Sequence, residues 1–134
     1  MFQNQKNRVA LYARFSSNQQ KSESVTAQIR AMEEYCKRNG LKVVAIYSDE
    51  AKSATTDNRP QFLQMIADSN KNMFDIALVH KLDRFSRSRM DALVYKSKLK
   101  SNNVELRSVL ERLDDSPESI ILESLLTAMS EYYS

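Results

Sequence analysis

The sequence predicts a three-layer α/β/α domain built on a mostly parallel central sheet, and three observations carry that prediction. Residues 9–13 and 43–47 are short, nearly continuous apolar runs, as expected of strands buried on both faces of a parallel sheet. Residues 76–79 and 104–109 read as two further strands. Segments with helical apolar spacing separate and follow the strands, so the order is β-α-β-α-β-α-β-α. Such alternation implies right-handed crossovers and helices on both faces of one sheet.

The first strand ends at Arg14. A helix follows from Val25, with Ser22 or Ser24 as its N-cap, Ile29, Met32 and Cys36 on one face, and Asn39-Gly40 as its stop. After the strand at 43–47, Pro60 suits the first position of a second helix, which carries Phe62, Met65 and Ile66 on one side. Beyond the third strand, Ser88 with Asp91 resembles a capping box ahead of a helix bearing Met90, Leu93 and Val94, ending near Asn102-Asn103. The last helix opens with Ser116 as N-cap, Pro117 at its first position and Glu118 in its first turn.

That last helix carries a broad apolar stripe of Ile121, Leu122, Leu125, Leu126, Met129, Tyr132 and Tyr133. The sequence stops at Ser134 without a helix-ending signal, so the helix from about 117 is expected to be cut short. Its stripe either covers the domain's own sheet or packs against something else.

A length of 134 residues fits one domain, here spanning 1–134, with a core that needs no disulfide or metal staple. The apolar fraction of 42% and charged fraction of 28% argue against disorder, and no apolar run reaches membrane-spanning length. No secretory signal precedes residue 8, and one cysteine cannot form an internal disulfide, so a reducing cytoplasm is expected. The net charge of +3 suits a nucleic-acid partner without requiring one. The single glycine, Gly40, excludes Walker A loops and dinucleotide-binding turns, which need several.

In an open α/β sheet, ligands bind beyond the carboxyl ends of the strands. The first strand delivers Arg14 and then Ser16 to that edge. The second leads through Asp49 and Ser53 to Arg59. The third is followed by Lys81, Asp83, Arg84 and Arg87. Four arginines could thus converge on one serine hydroxyl. Guanidinium groups bind phosphate oxygens bidentately and stay charged at physiological pH, which suits an anionic, five-coordinate phosphoryl transition state. Each residue alone has an ordinary reading: Ser16 or Ser17 as a loop serine, the arginines as surface cations, Asp83 as a cap or local ion pair. Their shared placement is what points to a phosphodiester.

The residues Tyr12-Ala13-Arg14-Phe15-Ser16, Gln28, Asn58-Arg59-Pro60 and Lys81-Leu82-Asp83-Arg84-Phe85-Ser86-Arg87 resemble the serine recombinase (resolvase/invertase) catalytic domain. The resemblance runs from about residue 8 to the end. The stretches Asp114-Asp115-Ser116-Pro117-Glu118 and Ser130-Glu131-Tyr132-Tyr133-Ser134 are most similar to the large serine integrases and transposon recombinases. It implies that Ser16 attacks a DNA phosphate to leave a 5′-phosphoserine link, followed by strand exchange and religation, with no metal and no other cofactor. It assigns Arg14, Arg84 and Arg87 to the phosphate clamp, Arg59 and Gln28 to its support, Asp83 to an acidic role, and Lys81 to DNA contact. The implied partners are double-stranded DNA attachment sites, a homodimer that becomes a homotetramer on DNA, and in some systems an accessory directionality protein. The implied location is the bacterial nucleoid, with no membrane.

Two departures stand out: the loop at 51–57 lacks a glycine frequent in relatives, and Phe15 replaces a small aliphatic residue. A DNA-reading module is also expected to lie outside this chain. His80, with no second histidine or cysteine cluster, reads as strand-end packing, and Cys36 as a core thiol. Lys96, Lys98 and Lys100 read first as a solvated face. Two rivals remain in view: a non-catalytic binding module of the same fold, and another phosphate-binding enzyme such as a phosphatase or nuclease.

Overall fold

Inside the sheet runs β1 (Arg8–Arg14), whose residues 9–14 are all buried because neighbours flank it on both edges and helices cover both faces. The computed structural model describes residues 6–15, 24–49, 59–85 and 89–111, together with positions 121, 124, 125, 128, 129, 131 and 132. Four strands, β1, β2 (Lys42–Asp49), β3 (Ile76–Val79) and β4 (Glu105–Ser108), lie in the order β2-β1-β3-β4, every pair parallel. The predicted α/β/α layering is therefore present, and among the described residues the sheet is parallel throughout.

Alternate residues of β1 feed two cores. Val9, Leu11 and Ala13 meet α1 (Val25–Arg38) through Met32 and Cys36. Ser24 caps that helix by accepting the Ala27 N–H at 3.0 Å, and Gly40 takes the left-handed φ of +66° that ends it. On the other face, Ala10 and Tyr12 meet α2 (Pro60–Asp68) and α4 (Arg89–Ser101). Phe62 of α2 is the hub of this second core. Its ring meets Tyr12, Phe85 and Tyr95 edge-on at centroid distances of 5.3, 5.2 and 4.9 Å.

Three sequence expectations need correction. β2 was expected to be buried on both faces, but it is an edge strand, and Val44 and Ile46 are 40% and 48% exposed. The core face of α4 was expected at Met90, Leu93 and Val94. Instead Leu99, Ala92 and Tyr95 turn inward, and Met90 and Val94 are exposed. A one-turn helix, α3 (Leu82–Phe85), also intervenes after β3 where none was expected. The proposed caps Ser88 and Ser116 lie outside the described residues. Those described between 121 and 132 are helical, and Ile121, Leu125, Met129 and Tyr132 are all exposed, so these four do not cover the sheet.

Candidate functional site

Because the strands are parallel, the carboxyl ends of β1, β2, β3 and β4 bring Arg14, Asp49, His80 and Ser108 to one edge. Arg14 is fixed there twice. The Gln28 side chain, fully buried on α1, donates to the Arg14 carbonyl at 2.9 Å and accepts the Arg14 N–H at 3.2 Å, clasping the backbone as another strand would. The Arg14 guanidinium then donates to the carbonyls of Asp83 (2.7 Å) and Arg84 (3.4 Å).

α3 supplies the platform. A one-turn helix leaves its carbonyls without intrahelical donors. Here Arg14 takes those of Asp83 and Arg84, and Arg59 donates to that of Phe85. Arg59 directly precedes Pro60 and is stacked on the Phe62 ring, its guanidinium carbon 3.9 Å from the centroid. Arg84 itself is 7% exposed, and among the described residues no acceptor reaches its buried Nε. Its Nη1 lies 3.5 Å from the Asp83 carboxylate, which is mostly exposed. The turn thus gathers three buried guanidiniums beside the end of β1. Lys81 is half-buried at the start of this turn, and its carbonyl accepts the Arg84 N–H at 3.0 Å.

Sequence reasoning treated Asp49 only as a step toward Arg59. In the structure its buried carboxylate accepts the Tyr12 hydroxyl at 2.8 Å and the backbone N–H groups of Gln61 and Phe62 at 2.9 and 3.0 Å. It caps α2 from the neighbouring strand, so it sets where Arg59 sits. The available signal was a helix opening on Pro60 with no Ser, Thr, Asn or Asp as its immediate cap. Burial, and then the bond to Asp49, pushes the Tyr12 hydroxyl far above its usual pKa, so it stays a proton donor.

The structure therefore brings together Arg14, Gln28, Arg59, Asp83, Arg84 and Lys81. Ser16, Ser17, Ser53 and Arg87 lie outside the described residues, although Phe15, donating its N–H to the Asp49 backbone carbonyl at 3.0 Å, carries the chain to the position before Ser16. Among the described residues there is no cluster of three or more His, Cys, Asp or Glu side chains that could hold a metal, and no helix long and apolar enough to cross a membrane. Cys36 is buried in the α1 core. His80 is buried at the strand end, where its carbonyl accepts the Ser108 hydroxyl and the Leu110 N–H.

Comparison with known proteins agrees with this arrangement. Residues 9–134 match the family model described as the resolvase N-terminal domain. A Bacillus subtilis (strain 168) protein described as a DNA recombinase is 30% identical over 126 residues; the match covers 92% of this chain but only 25% of that protein. The chain thus spans about a quarter of this curated relative's length. Among solved structures, the N-terminal catalytic domain of TP901-1 integrase is similar with a TM-score of 0.73 and 31% identity, covering 95% of this chain and 96% of that one. A resolvase family site-specific recombinase from Streptococcus pneumoniae gives a TM-score of 0.71 at 29% identity, covering 96% and 88%. The C-terminal catalytic domain of ISC1926 TnpA, an IS607-like serine recombinase, gives 0.66 at 25% identity, covering 93% and 82%.

Proposed function

The chain belongs to the resolvase N-terminal domain family, and on that premise we propose that it is the catalytic domain of a serine site-specific recombinase in which Ser16 is the nucleophile. The observation that carries this reading is the gathering of Arg14, Arg59 and Arg84, all buried, around α3 at the end of the strand that leads to Ser16. In this mechanism the Ser16 oxygen attacks a DNA phosphorus, the bond to the 3′-oxygen breaks, and that oxygen leaves as a 3′-hydroxyl. The protein stays on the 5′-phosphate as a phosphoserine ester. The phosphoryl bond energy is conserved, so the reverse attack by a 3′-hydroxyl reseals the strand without ATP. Arg14 and Arg84, with Arg87, stabilise charge on the non-bridging oxygens. Arg59 and Gln28 hold the arrangement, and Lys81 contacts the DNA backbone.

Strand exchange by this mechanism needs two cut sites held together, hence a dimer that becomes a tetramer on DNA. The exposed apolar residues Ile121, Leu125, Met129 and Tyr132 favour self-association. Sedimentation of the chain at increasing concentration should reveal it, and strictly monomeric behaviour would count against that face as an interface. Integration or excision of a phage or transposon is the proposed setting.

The reaction is tested with the full-length parent protein and DNA from its genomic flanks, by denaturing electrophoresis for a covalent adduct. The adduct should form on the 5′ side, vanish in Ser16→Ala and persist in Ser17→Ala. A parent protein that binds this DNA yet forms no adduct would make the non-catalytic binding module the better reading.

A further inference from the structure

The turn that gathers the arginines is also held from a direction the reaction does not require. β4 ends at Ser108, whose buried hydroxyl lies 3.2 Å from the His80 carbonyl and 2.8 Å from Glu111 Oε1. The Glu111 backbone N–H returns to the Ser108 hydroxyl oxygen at 3.3 Å, so the strand end folds into a small hydrogen-bonded hook. The same Glu111 oxygen accepts the backbone N–H of Leu82 at 2.6 Å. Leu82 is the first residue of α3, and its N–H is one that a helix cannot satisfy internally. The hook therefore supplies, from the neighbouring strand, the cap that α3 lacks in its own sequence.

We propose that Glu111 is a positioning residue for DNA cleavage. Its carboxylate fixes the start of α3, and α3 in turn presents Arg84 and offers the carbonyls that aim Arg14 and Arg59. This proposal rests on reading those arginines as a phosphate clamp. Two features separate Glu111 from an ordinary structural contact. It is exposed, so it contributes nothing to the core, and its carboxylate oxygen makes a short, charge-assisted bond to the first backbone amide of α3 while also meeting the Ser108 hydroxyl. The far end of α3 is anchored independently by Phe85, fully buried against Phe62. Loss of Glu111 should thus leave the fold in place and let the near end of α3 shift. Small displacements of oriented charges cost rate far more than they cost affinity.

The test uses the full-length parent protein pre-bound to its DNA, comparing wild type, Glu111→Ala, Glu111→Gln and Ser108→Ala. Single-turnover cleavage should fall roughly tenfold or more in Glu111→Ala, with DNA affinity held within about twofold. Glu111→Gln should recover most of that rate, because its amide oxygen can still accept the Leu82 N–H. Ser108→Ala should move in the same direction as Glu111→Ala by a smaller factor. Wild-type rates in all three variants, or equal losses in Ala and Gln, would overturn the proposal. If the wild-type parent forms no adduct, the recombinase reading itself has failed, and the positioning claim is then judged by NMR on the chain titrated with inorganic phosphate. Glu111→Ala should speed exchange of the Leu82 amide proton and move the Arg84 Nε signal, leaving the β1 amides unchanged. Unaltered Leu82 and Arg84 signals would reject it on that evidence alone.

Discussion

Arg8 and Arg14 open and close the same strand, and the molecule holds them in different ways. At the amino end, Arg8 forms a forked ion pair with Asp75, at 3.0 Å from Nε and 2.9 Å from Nη2, and adds bonds to the carbonyl and side chain of Asn72. At the carboxyl end, the bonds that aim the Arg14 guanidinium run to the carbonyls of Asp83 and Arg84. A forked carboxylate fixes a guanidinium by charge and by geometry together, and a carbonyl fixes the direction of the N–H that it accepts. The first arrangement ties strand to loop. The second points a cation at the edge where a parallel sheet places its ligands.

The sharpest way to break this comparison is to delete each arginine in turn. Arg14→Ala should lower cleavage by the parent protein by roughly a thousandfold while leaving a folded chain. Arg8→Ala should leave single-turnover cleavage within about twofold of wild type. Comparable losses in both would mean that the two ends of β1 are not functionally distinct.

The same contrast extends to the carboxylates on the two edges. Asp49 is buried and serves the Tyr12 hydroxyl and the Gln61 and Phe62 amides, all of which lose their acceptor in Asp49→Ala. That substitution should cost about 3 kcal/mol in urea unfolding. Asp75→Ala should cost less, because Arg8 is partly exposed and water can replace the lost partner. Gln28→Ala should fall between them, at about 2 kcal/mol, and also slow cleavage, since it removes the clasp on the Arg14 backbone. A Gln28→Ala protein that is destabilised but cleaves normally would show that Gln28 supports the strand and not the clamp.

How far the sequence alone foretold this edge depended on the range of each signal. Arg14, Arg59 and Arg84 could be placed together because element order alone sends the ends of parallel strands to one side. The cap from Asp49 to α2 could not, because it joins an acceptor and its donors across a stretch of chain with no periodic signal. α3 escaped notice for a similar reason: one turn is too short to show a period. The apolar run of β2 was legible as a strand, but nothing in it says that the sheet ends there and leaves Val44 and Ile46 half in water. In α4, Leu93, Val94 and Tyr95 are adjacent, so apolar residues point in several directions. The ring of Phe62, packed on Tyr95, marks the side that faces the core.

The smallest expected effect concerns acid. The hydrogen bond from Arg8 holds the Asp75 carboxyl below the usual carboxylate range, and the bond from the Tyr47 hydroxyl, helped by Gln64 and Lys71, does the same for Asp68. A carboxyl whose folded pKa is depressed binds fewer protons when folded than when unfolded. Its contribution to stability is complete above the unfolded value, near about 4, and disappears as pH falls through the lower folded value. Unfolding free energy should therefore be insensitive to these groups near neutrality and decline from about pH 4 downward. Asp75→Asn and Arg8→Ala should each make that decline shallower by a similar amount, and the double variant should add little to either, because both remove one interaction. Additive changes would mean that Arg8 and Asp75 act through different partners, and the forked pair would not be the contact that holds the amino end of β1.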